Sequence, residues 1–181
     1  QSEDELRQLI ELGYIEDYGD DVERAIKTTK AENNFTLAKS YISGNEWEKG
    51  IAILEELHEE FPDKLHFVSR LIHTYQITGQ LKKARDLVDK VKEIMPHKGV
   101  HIELLDASLL YSENKPKAAL RVFERVKRDA GDFFNINLRI ASALYQINEL
   151  DKAKEALEDH LVVDQESERA HLLLGQILFE Q

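Results

Sequence analysis

Small and apolar residues return along this chain at an interval of about 34 residues. Gly50 and Ala84 are 34 apart, Ala84 and Ala119 are 35, and Ala119 and Ala153 are 34 again. Leu37, Leu71, Ile140 and Leu174 share one place in the interval; Ala38, Ile72, Ala107, Ala141 and Gly175 share the next. Tyr41 and Tyr75, Tyr111 and Tyr145, and Pro62 and Pro96 are also spaced by 34. Val, Ile and Thr form no alternating runs, and Pro and Gly number only 3 and 8. The pattern predicts helices rather than strands. A period of this length predicts a stack of two-helix units, none of which buries its apolar face without a neighbour. Pro62 and Pro96 would each close a second helix.

With these residues at these places, the period resembles the tetratricopeptide repeat. Residues 65–98 fit through Leu71, Tyr75, Gly79, Leu81, Ala84, Val88, Val91 and Pro96. Residues 31–64 fit through Leu37, Ala38, Tyr41, Trp47, Leu54, Leu57 and Pro62, with Gly50 in place of the usual Ala and the turn Gly one place early at Gly44. Residues 100–133 are looser. Ala107, Leu110, Ala119, Phe123 and Val126 fit, but Asp106 stands where Leu is expected, and Pro116 opens the second helix, a place that tolerates it. Residues 134–167 give Ile140, Ala141, Leu144, Leu150, Ala153 and Leu157 without a closing Pro.

The resemblance implies an all-α fold, a right-handed superhelical solenoid of antiparallel helix hairpins. Its repeats would run at about 31–64, 65–99, 100–133 and 134–167, with a single helix at 168–181. Leu172, Leu173, Ile177 and Phe179 make that last helix apolar, so either a face stays exposed or something packs on it.

Residues 1–30 fall outside the period and read as an acidic N-terminal helix and linker. Ser2 and Glu5 form a capping box for a helix over 3–12 that Gly13 stops. An acidic stretch follows at 16–23, and a second short helix is expected from Asp21 to Lys30. The run from Glu5 to Ile15 resembles the last segment of alkaline-phosphatase-superfamily catalytic domains, those of sulfatases and type I phosphodiesterases. That resemblance implies a C-terminal accessory domain of a hydrolase whose active site lies upstream. The start at Gln1, without Met, agrees with an excerpt or a processed product.

Composition sharpens this picture by exclusion. The 181 residues contain no Cys, which removes disulfides, thiolate metal sites and cysteine nucleophiles. A net charge of −11 disfavours nucleic acid and anionic membranes as partners, and no apolar run is long enough to span a bilayer. The charge is uneven, because residues 64–128 hold 14 Lys+Arg against 7 Asp+Glu. That basic middle reads as solvated helix faces, or as an anion-accepting or self-associating region.

No HExxH, Gly-rich phosphate loop or nucleophile elbow is present. His66, His73 and His101 invite a metal reading, but nothing in their spacing makes them converge. No cofactor, metal or catalytic residue is expected in this chain.

The expected site is a partner-binding groove. The tetratricopeptide resemblance implies an inner wall of first-helix side chains: Phe35, Lys39, Ser43, His66, Ser69, His73, Gln76, His101, Leu104, Ser108, Tyr111, Asn135, Leu138, Ser142 and Tyr145. Mixed hydrogen-bonding, tyrosine and leucine side chains suit a peptide or protein segment. Family members that grip chaperone tails clamp a carboxylate with Lys, Asn and Arg. Here the pairs Phe35 with Lys39, Ser69 with His73 and Leu104 with Ser108 leave only one fixed cation, so that clamp is missing. The alternative is a scaffold that assembles copies of itself.

Overall fold

A computed structural model describes residues 20–95, 99–131 and 135–180, omitting the side chains of residues 20–22. Regular structure among these residues is wholly helical: α1 Asp20–Ser43, α2 Trp47–Glu60, α3 Leu65–Ile77, α4 Leu81–Ile94, α5 Gly99–Ser112, α6 Pro116–Ala130, α7 Ile136–Gln146, α8 Leu150–Val163 and α9 Glu168–Glu180. None is long and apolar enough to cross a membrane. The chain divides into two compact units, residues 1–60 and residues 61–181. The expected helix over 3–12 and the segment Glu5–Ile15 lie outside the described residues.

In the first unit α1 packs along α2. The expected short helix Asp21–Lys30 is not separate; α1 runs unbroken through residue 30 to Ser43. No Gly or Pro interrupts residues 20–43, so nothing in the backbone stops the helix. Ala38, Ile42, Ile51 and Leu54 are buried, while Leu37 stays exposed. Gly50 explains its own departure from Ala. A Cβ there would lie 2.6 Å from Cγ1 of Ile42 and 3.2 Å from the Ala38 carbonyl oxygen. Lys27 pairs with Glu60 at 3.0 Å across the two helices.

In the second unit α3/α4, α5/α6 and α7/α8 are hairpins and α9 is a single helix. Each helix packs on the next, and the first helices also touch each other, α3 with α5 and α7 with α9. Phe67, Val68, Leu71 and Ile72 are buried on α3, and Ala84, Val88 and Val91 on α4. A continuous core then runs from α5 to α9 through Ala107, Ala119, Phe123, Val126, Ile140, Ala153, Leu157 and Ile177. Pro116 occupies the start of α6, as its missing N–H allows. At the end of α8 and along α9, Val162, Val163, Leu172, Leu178 and Phe179 are exposed.

The turns between paired helices share one device. Asn45, Gly79, Asn114 and Asn148 occupy equivalent places and all have positive φ, between 60° and 73°. The next residue closes each helix end: Glu46 N–H donates to Tyr41 C=O at 2.8 Å, Gln80 to Tyr75 at 2.8 Å, Lys115 to Leu110 at 2.9 Å and Glu149 to Leu144 at 3.0 Å. These bonds satisfy carbonyls that a helix end leaves orphaned. Gly44, expected as the turn Gly of the first hairpin, is therefore not the left-handed residue; Asn45 is. Asn adopts that conformation more readily than other residues with a Cβ.

Asp106, the polar residue at a Leu place, is held by α4. Its carboxylate accepts from Arg85 and, at 2.8 Å, from Lys92. Arg85 Nε also donates to Glu113 at 2.9 Å, and Lys115 donates to Glu113 at 2.8 Å. Burial pushes the Asp106 carboxyl up, but the bonds from Lys92 and Arg85 outweigh it and hold it below its usual value. The Arg85 bond also lowers Glu113, against a smaller effect of burial.

Both carboxyls are thus depressed in the folded state. Their stabilisation is full above the ordinary carboxylate range and is lost as pH falls through the folded values. Asp106→Asn should flatten the acid limb of a melting-temperature profile and cost roughly 1 kcal/mol near neutrality, the upper end for partly exposed pairs. An unchanged acid limb would show that the cluster does not couple to folding.

The helix-A wall as candidate site

The helices α3, α5, α7 and α9 carry the second unit's share of the expected groove. Side-chain hydrogen bonds cross from each of them to the next. Gln76 on α3 donates to Ser112 on α5 at 3.2 Å. Arg139 on α7 donates to Ser108 on α5 at 2.5 Å. Tyr145 on α7 donates its hydroxyl to Glu180 on α9. The layer is therefore one polar surface built from four helices.

Expected residues divide in three. His66 and His73 are exposed, and Ser69, Gln76, His101, Ser108, Tyr111, Ser142 and Tyr145 are half-buried on the wall. Asn135 is exposed at the start of α7 in a left-handed conformation. Leu104 and Leu138 are not on the open wall; both are buried in the core. Their places face a neighbouring helix, and an apolar side chain there turns inward rather than towards water. Phe35, Lys39 and Ser43 lie on α1 in the first unit, where the Lys39 ammonium sits 4.9 Å from the Phe35 ring centroid.

Three arginines and an acid join the wall without having been expected there. Arg70 precedes Leu71, Arg139 precedes Ile140, and Arg169 and Glu180 lie on α9. Arg169 occupies the same place as His66, His101 and Asn135, so carrying the period one repeat further would have found it.

The electrostatics of the wall follow from its crowding. Burial, and then the charges of Arg70, Arg169 and Arg139, hold the His73 imidazole below its ordinary value, opposed by a bond with Gln76. Burial raises the Tyr111 phenol, against the pull of Arg169. Burial and then Arg169 lower the Arg139 guanidinium. The bond to Glu180, more than burial, raises the Tyr145 phenol.

Much of the basic middle is neutralised elsewhere. Besides the Asp106 cluster, Arg125 pairs with Glu103 at 3.2 Å and Lys127 with Asp159 at 3.4 Å. Among the described residues, no group of three or more His, Asp or Glu could hold a metal ion.

Tetratricopeptide-repeat family profiles match residues 33–64 and 110–177. The intervening α3/α4 hairpin and α5 have the same form. The chain is therefore built of tetratricopeptide repeats. A tetratricopeptide protein from Thermus thermophilus superposes with a TM-score of 0.71 at 14% identity, over 83% of this chain and 82% of that one. PilW, described as a type IV pilus biogenesis factor, gives 0.65 at 18% identity, over 77% of this chain and 64% of PilW. A MamA fragment from Desulfovibrio magneticus gives 0.59 at 19% identity, over 83% and 85%. Identities this low establish the shared fold alone. No curated protein matches the sequence.

Proposed function

We propose that the second unit binds a segment of another protein along the wall of α3, α5, α7 and α9. The observation that carries this reading is the layer itself. Four successive first helices present tyrosine, histidine, serine and glutamine side chains on one surface, tied by hydrogen bonds from helix to helix. Tyr111 and Tyr145 are its aromatic anchors, large amphipathic side chains of the kind that dominate binding energy. Replacing both by alanine should abolish capture of a partner from extracts while far-UV circular dichroism stays unchanged. Undiminished capture by a folded variant would overturn the assignment.

Self-association is a second reading, favoured by the exposed Val162, Val163, Leu172, Leu178 and Phe179. Sedimentation at low salt should then show mass rising with concentration; a concentration-independent monomer removes it. The resemblance at Glu5–Ile15 supports a further reading, an accessory domain carried by a phosphatase-superfamily hydrolase. The coding sequence upstream of Gln1 tests that, through the presence or absence of a metal-binding Asp and His framework.

A further inference from the structure

The helix α9 packs on α8 and touches α7. Its buried side chains are Ala170 and Ile177. The opposite face is open. Leu172 is 67% exposed, Leu178 55% and Phe179 92%, and His171 and Gly175 are exposed with them. At 3.6 residues per turn these five fall within about a third of the helix circumference.

The period identifies this face. Counting back 34 residues from His171, Leu172, Gly175, Leu178 and Phe179 gives Asn137, Leu138, Ala141, Leu144 and Tyr145 on α7. There the first four are buried and Tyr145 is half-buried. It is a face that the array covers in its interior, and on α9 it keeps the apolar character of a covered one. Apolar side chains exposed singly need no account, whereas a stripe of them on one helix face marks an interaction surface.

We propose that this face of α9 binds the same face of a second copy of the chain, antiparallel, about a twofold axis beside Gly175. The proposal rests on the reading of the chain as self-associating and adds the surface and its symmetry. The stripe is complementary to itself. A twofold axis at Gly175 sets each residue against the one equally far on the other side. Leu172 and Leu178 are each three places from Gly175, so they meet in two leucine contacts. His171 and Phe179 are each four places away, so imidazole and phenyl rings meet twice. The His171 ring is already fixed, because Nε2 donates to the Gln165 carbonyl at 2.8 Å. None of these pairs brings like charges together.

The centre of the stripe also fits a close crossing. Ala107 and Ala141 hold this place on α5 and α7, and both are fully buried. On α9 the place is Gly175, over which an added Cβ would meet nothing within 4 Å. A residue without a side chain lets two helix backbones approach. A contact of one face with itself closes at two copies and does not propagate.

Sedimentation of the 181-residue chain should show mass rising with concentration from 20.9 kDa to twice that value and no further. Leu172→Glu with Leu178→Glu sets like charges against each other at both leucine contacts, and should weaken association by about tenfold or more. Both side chains are exposed, so far-UV circular dichroism should not change. Leu172→Lys with Leu178→Lys should fail alone in the same way, and an equimolar mixture of the two variants should associate again. Unchanged association of the Glu variant, or no recovery in the mixture, overturns the proposal.

Because the chain has no Cys, one introduced thiol reports the axis. Gly175→Cys should cross-link to a dimer under mild oxidation, since a residue beside a twofold axis faces its own copy within disulfide reach. Val163→Cys, at an exposed place on α8, should cross-link more slowly by about tenfold or more, and equal rates overturn the twofold placement. Failure of the two readings can be told apart. If the chain stays monomeric at every concentration, self-association and this face both fall. If mass rises but the Glu variant associates as well as the unaltered chain, self-association stands and this face alone falls.

Discussion

Replacing Phe123 by alanine should lower the stability of the second unit by about 3–5 kcal/mol, the range for removing a buried aromatic side chain. Phe123 is only 2% exposed and belongs to the core that joins α5 through α9. The same core contains Ala107, Ala119, Ala141 and Ala153, which are already small. They cannot extend into the space left behind, so the loss combines transfer to water with an unfilled cavity.

In a repeat array each hairpin supports only its neighbours, and the damage should therefore be local. Amide exchange should accelerate most in α5 to α8 and least in α1 and α2. Urea unfolding of the variant measures the total. A loss below about 1 kcal/mol, or exchange accelerated evenly along the chain, would show that this core is not organised as the packing implies.

The period of 34 was legible because it is written in side-chain size. Ala84, Ala119 and Ala153 are all fully buried where helices meet, and the helices begin and end near the places their spacing marks. The turns were less legible. A search for Gly finds Gly79 and is drawn to Gly44, whereas the left-handed residue is Asn in three of the four turns within hairpins. The backbone demands a conformation, and two residue types supply it. Nor does the sequence mark where the array begins, since α1 continues from residue 20 without any residue that would break it.

The wall was legible only in outline. A family template assigns places, not directions, so Leu104 and Leu138 were counted with Ser108 and Ser142 although both are buried. The arginines escaped for two reasons. Arg169 lies in the incomplete last repeat, beyond the place where the expected groove stopped. Arg70 and Arg139 sit beside the template places. The basic middle was visible as a count, but part of it is spent on Asp106, Glu103 and Asp159. The charge that matters for a ligand is what remains after those pairs are made, and pairing between helices is not visible in a linear sequence.

Gly50 supports a prediction against the family pattern. Alanine is the usual residue at this place, and inside a helix Gly→Ala ordinarily gains about 1 kcal/mol. Here the change should instead destabilise the first unit by about 1–2 kcal/mol. The new methyl would lie 2.6 Å from Cγ1 of Ile42, and 3.2 Å from a backbone oxygen on the same helix. Cγ1 is near the root of a β-branched side chain, so it cannot swing clear as a flexible tip would. Overpacking of this kind costs about 1–3 kcal/mol, which exceeds the propensity gain.

Ile42→Ala removes the obstructing atom, and Gly50→Ala in that background should recover the helix-propensity gain. A double-mutant cycle by thermal unfolding isolates the coupling between the two places. Strong coupling with a change of sign is expected. If Gly50→Ala stabilises the unaltered background, α1 and α2 can separate enough to admit the methyl, and their close approach at Gly50 is not a requirement of the fold.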